Sequence, residues 1–169
     1  MTSTSLLTVT VQRAPFAIIG VGNVLMRDDA FGPTMIRELE ALPLFTQLAD
    51  RVELVDAGTA GFDLMHQLLG RERVLLLDAV ASRDGEPAGT LRVIEHDELL
   101  AMSHHNARGT PHEPSILAAL HVADLAGALP HVTLLGVVPA DVSMGTDTSA
   151  AVREAMPDVV AWAARWATE

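Results

Sequence analysis

The tightest constraint on this chain is a set of short runs that are apolar on both faces. RVLLLDAV (Arg73–Val80) and HVTLLGVVP (His131–Pro139) carry Val and Leu at successive positions. A strand with one wet face alternates apolar and polar residues, whereas a strand covered on both faces does not. Such runs belong in a parallel sheet with helices on each side. The remaining segments fit that plan. A first strand is expected at Ala17–Gly20, with a neighbouring edge strand at Leu7–Val11, and a second at Val52–Ala57. TLRVIEHD (Thr90–Asp97) reads as a fourth strand nearer an edge, because polar residues interrupt it. Helices are expected at Ala30–Leu42, Phe62–Leu69, Pro114–Leu125 and Ser149–Ala167, the last kinked or divided at Pro157. Glu98–Pro111 reads as an irregular, site-forming loop.

Strands alternating with helices define the class. The expectation is a three-layer α/β/α fold around a mainly parallel, twisted sheet of about five strands. Length adds that 169 residues suit one domain, 1–169, in which 1–14 form either a flexible lead or an edge strand.

Composition narrows the chemistry. The net charge is −11, and all 11 basic residues are Arg. That balance opposes nucleic-acid and anionic-membrane binding. With no Lys there is no phosphate-loop lysine and no Schiff base, and with no Cys there is no thiol nucleophile, disulfide or zinc finger. The first residues show no basic segment ahead of an apolar one, and no run approaches the ~20 apolar residues of a membrane span. A cytoplasmic setting is the expectation.

In an open α/β sheet, sites form beyond the carboxyl ends of the strands. After the first strand comes GVGNVLMRDDAFG (Gly20–Gly32), which holds Asn23, Asp28 and Asp29. After the second comes Asp56, and at the end of the third, Asp78. His104, His105 and His112 lie between the fourth strand and the next helix. Only Arg27 and Arg108 offset these groups, so this edge suits a cation and repels phosphate. Gly20 and Gly22 make a tight turn, yet Leu25 stands where a dinucleotide fingerprint needs its third glycine. A nucleotide- or sugar-phosphate-binding module is nonetheless the main alternative reading. A self-contained metallopeptidase acting on small peptides is the other.

Each acid also has a structural reading. Asp28 suits an N-cap and Asp29 a first-turn position that complements the helix dipole. Asp78 ends an apolar run, where a carboxylate is costly unless it is paired, hydrogen-bonded or metal-bound. HEPSI is not a zinc-protease HExxH, and no GxSxG is present.

GVGNVLMRDDAFG, DAGTAGFDL, LLLDAV and TPHEPSILAAL, in that order and at these intervals, resemble the [NiFe]-hydrogenase maturation endopeptidases over Ile18–Val138. The resemblance implies an endopeptidase that removes the C-terminal extension of a [NiFe]-hydrogenase large-subunit precursor after nickel insertion. It implies metal contacts from Asp29, Asp78 and His112, and it maps the aspartate of the family's DxGT segment to Asp56. Family members often carry Glu where this chain has Asp29. The nickel is implied to arrive with the substrate, with no nucleotide cofactor. Two carboxylates and an imidazole independently suit a borderline divalent ion with open positions. Water activated by a carboxylate or by the metal is the simplest attack, with Asp56 and Asp78 as candidate bases.

Overall fold

The computed structural model describes residues 13–59, 62–106 and 116–169. Five strands form one sheet: β1 (Phe16–Gly20), β2 (Val52–Asp56), β3 (Arg73–Ala79), β4 (Leu91–Ile94) and β5 (His131–Val137). Their spatial order is β2-β1-β3-β5-β4, parallel except for β4, which runs antiparallel to β5 at the edge. The expected edge strand Leu7–Val11 lies outside the described residues.

Side-chain alternation along the strands splits the core in two. Ile18, Leu75, Leu77, Leu135 and Val137 face α1 (Phe31–Glu40) and α6 (Ala150–Thr168). Ile19, Val74, Leu76, Val132 and Leu134 face α3 (Phe62–Leu68), α4 (His96–Asn106) and α5 (Ile116–Leu125). Helices therefore cover both faces, as the doubly apolar strands require. A short helix, α2 (Pro43–Gln47), was not expected; Pro43 starts it at a position that needs no N–H, and buried Phe45 anchors it.

Two expectations are corrected. Glu98–Pro111 is not irregular throughout, because α4 runs through Asn106. Leu99 and Ser103, four residues apart, turn one side of α4 inward, and Asp97 and Glu98 sit favourably in its first turn. The last helix is not divided at Pro157. Pro157 and Arg153 both lie on the exposed side, so water can reach the carbonyl that the proline leaves without an N–H partner. Ser149 caps this helix, its Oγ accepting from the Val152 N–H at 3.3 Å.

The chain leaves β1 for β2 on one side, then returns to β3 on the other. Strand order reverses between β1 and β3, and that reversal opens a crevice at their carboxyl ends.

Candidate active site at the β1/β3 crevice

The floor of the crevice is backbone packed on backbone. A Cβ at Gly20 would stand 2.3 Å from the Gly32 carbonyl oxygen, and one at Gly32 would stand 2.2 Å from that of Val21 and 2.4 Å from that of Leu77. Gly22 has φ +143°, and a Cβ there would lie 1.8 Å from the Asp29 carbonyl oxygen. Gly32 thus supplies the close helix–strand approach missing at position 25, where Leu25 is 59% exposed. These glycines bring the start of α1 against β1 and β3 and hang the intervening loop over the crevice.

Asp29 sits in a 3-10 turn, Arg27–Ala30, just before α1. Its Oδ2 accepts the Asn23 N–H at 2.8 Å. Asp78 lies near the end of β3, on the same face as Val74 and Leu76, and its Oδ1 accepts the Ala79 N–H at 2.9 Å. Burial, and then the negative charge of Asp29, push the Asp78 carboxyl up to about 7. The two acids that the sequence places 49 positions apart (78 − 29) therefore share one electrostatic neighbourhood.

Asp56 lies elsewhere. Val52 and Leu54 face the α1 side of the sheet, so strand alternation turns Asp56 to that side, away from Asp78. It is exposed, its Oδ1 accepts the Gly58 N–H at 3.0 Å, and its other oxygen is 4.0 Å from Arg37 on α1. His112 lies outside the described residues. His104 and His105 belong to exposed positions on α4 rather than to a loop, and His104 Nε2 is 2.9 Å from Asp124 Oδ2 on α5. Among the described residues, no group of three or more His, Asp or Glu is placed to hold a metal ion. The pair of carboxylates can contribute two hard oxygen ligands and leaves other positions to outside donors.

Asp28 is not the N-cap that its position suggests. It is fully buried, and its carboxylate accepts N–H groups from Ala140 at 2.8 Å, Asp141 at 3.1 Å and Ser149 at 2.6 Å. Burial alone would raise its pKa; the bonds from Ser149, Asp141 and Ala140 outweigh it and hold the carboxyl below its ordinary value. Asp28 thereby ties the β1–α1 loop to the β5–α6 loop. Backbone bonds extend the seam: Gly145 N–H to the Leu25 carbonyl and Arg27 N–H to the Gly145 carbonyl, both 2.9 Å. Arg27 adopts φ 45°, a left-handed conformation costly for a side-chain-bearing residue, with its Nε 3.3 Å from Asp141 Oδ2. Two adjacent acids in one short loop are the only sequence signal for this role, and the partner loop, more than a hundred residues on, cannot be read from spacing.

This arrangement can be set against known proteins. A family model described as hydrogenase maturation protease matches residues 34–166. The chain belongs to that family. The hydrogenase 2 maturation protease of Escherichia coli K12 is 33% identical over 123 residues, covering 72% of this chain and 71% of the relative. The solved hydrogenase maturating endopeptidase HybD from E. coli superposes with a TM-score of 0.73 at 26% identity, covering 88% of each chain. A hydrogenase 2 maturation peptidase from a Thaumarchaeota archaeon is 32% identical with a TM-score of 0.63, covering 89% of this chain and 96% of that one. The maturation protease described here is thus a hydrolase of peptide bonds, and its sheet order and helix layers match its relatives' fold. No helix among the described residues is long and apolar enough to cross a membrane.

Proposed function

We propose that this protease removes the C-terminal extension of a [NiFe]-hydrogenase large-subunit precursor, in the cytoplasm, and reads the nickel already held by that substrate. The observation that carries the reading is the pairing of Asp29 and Asp78 at the β1/β3 crevice. Each carboxylate makes the other's charge costly, and a dication delivered between them removes that cost. Two protein carboxylates are a weak cage on their own, and they suit an ion whose other ligands come from the substrate. His112 is assigned as the third contact.

Asp78 has a second part in this reading. Asp78, at the crevice end of β3, is assigned as the base that draws a proton from the attacking water, through a carboxylate oxygen left free of the ion. Asp56, on the other face, is left outside that step. No nucleotide takes part, since the glycines are spent on backbone packing.

The test is cleavage of nickel-loaded and nickel-free precursor, followed by mass spectrometry of the carboxyl-terminal end of the product. Wild type should cut the loaded form alone. Folded Asp78→Asn should be slower by roughly 100-fold or more, and His112→Ala should lose nickel-dependent recognition. Equal cutting of the nickel-free form sinks the nickel reading, and a wild-type rate in Asp78→Asn sinks the base assignment.

A further inference from the structure

Asp78 also forms part of the wall of a cavity of about 250 Å³. The cavity opens on the α4/α5 side of the sheet, and its other walls include Ile94, Leu99, Met102, Leu117 and Leu134. We infer that this cavity is a side-chain subsite that receives one bulky apolar residue of the substrate polypeptide, next to the bond being cut. The inference rests on the proteolytic reading given above.

Three observations carry it. The first is position: Asp78 leaves β3 on the same face as Leu76, so the reacting acid and the cavity are continuous. An extended substrate advances roughly 3.3 Å per residue, which puts a residue immediately flanking the cut at the cavity mouth. The second is chemistry. The guanidiniums at the rim are already engaged: Arg83 with Glu98 at 3.0 Å, and Arg92 with Glu86 and, at 3.0 Å, with the Ala81 carbonyl. Among the described residues no unpaired cation is offered there to phosphate or carboxylate, and apart from Asp78 and Ser82 the remaining lining is apolar. The third is size. A cavity of about 150 Å³ lined by such residues accepts benzene, so this one has room for a Leu, Met or Phe side chain. Met102 forms a movable part of the wall, with Arg83 Nη2 resting 3.5 Å from its sulfur.

The experiment uses the full-length protease and nickel-loaded precursors that carry Phe, Leu, Ala or Asp at each residue flanking the cut. Cleavage is followed as kcat/KM. Wild type should prefer Leu or Phe over Ala and Asp by roughly tenfold or more at one flanking position. Met102→Trp fills the cavity and should collapse that preference toward Ala; Leu117→Ala enlarges it and should shift preference toward Phe. Circular dichroism identifies folded variants, and either variant suffices. Cleavage with no apolar preference, or a preference that neither folded variant changes, overturns the subsite and leaves the proteolytic reading standing. Failure of wild type to cut any loaded precursor overturns the proteolytic reading, and the subsite falls with it.

Discussion

Asp28→Asn tests how the rim of the crevice is held. The carboxylate spreads three backbone N–H groups over two oxygens: Ala140 and Asp141 on Oδ2, and Ser149 on Oδ1. An asparagine has one oxygen. Its better rotamer keeps Ala140 and Asp141 and turns its own NH₂ toward the Ser149 N–H, donor against donor. The change loses one charge-assisted bond, worth about 1.5–3 kcal/mol, and leaves a poorly satisfied buried donor at about 1–3 kcal/mol. A loss near 3 kcal/mol follows, or roughly 6–12 °C in Tm for a domain of this size. The sign with pH is fixed. The folded carboxyl lies below its ordinary value, so its stabilisation is complete above the unfolded pKa of about 4 and drains away as pH falls through the folded value. Urea titrations of wild type and Asp28→Asn at pH 7 should differ by the full amount, and at pH 3 by clearly less. Hydrogen exchange at Ala140, Asp141 and Ser149 registers the loss if the loop opens locally instead. Unchanged stability together with unchanged exchange at those amides would refute the clasp.

Asp78 carries the opposite sign. Its folded pKa is raised to about 7, so metal-free wild type should lose stability as pH rises from about 4 to 7, by up to about 4 kcal/mol. Asp78→Asn should remove that slope, and Asp29→Asn should bring the Asp78 carboxyl down; carbon-13 NMR of the carboxyl reports both, and a slope retained in Asp78→Asn contradicts the reading. Gly32→Ala has no space for its methyl between Val21 and Leu77 and should cost 3 kcal/mol or more, roughly the upper range for overpacking. Gly58→Ala meets nothing within 4 Å, strains only its φ of +54°, and should cost about 1 kcal/mol; equal thermal shifts for the two glycine variants would contradict the packing account. Pro157→Ala restores a helical N–H on the wet face of α6 and should stabilise by about 1–3 kcal/mol in urea titration; a loss would show that the proline is needed.

The layer order was legible because strands buried on both faces leave a signature in consecutive residues: Val74–Leu77 and Val132–Leu135 needed no partner to be read. The carboxyl-end rule then carried Asp29 and Asp78 to one crevice. Other features escaped for physical reasons. The inward side of α4 rests on Leu99 and Ser103 with half-buried Met102, and histidines and acids dilute that stripe below recognition. Pro157 looked like a break because sequence alone does not say which side of a helix is wet. The partners of Asp28 and the direction of Asp56 were not legible for related causes. The hydrogen-bond donors of Asp28 lie more than a hundred residues away, and the direction of Asp56 depends on strand alternation measured from a core that sequence does not orient.

Asp56 and Asp78 depart from the sheet on opposite sides, with β1 between their strands. Two strand spacings, roughly 10 Å, and the carboxyl end of β1 at Gly20 separate them. Groups so placed change stability almost independently of one another. Heritable variation around Asp56, Arg37 and the α1 side can therefore refit whatever that side touches while the proton affinity at Asp78 stays where it is. In this chain the sheet works as a partition, so a lineage can revise its contacts on one side of it without retuning the acid on the other.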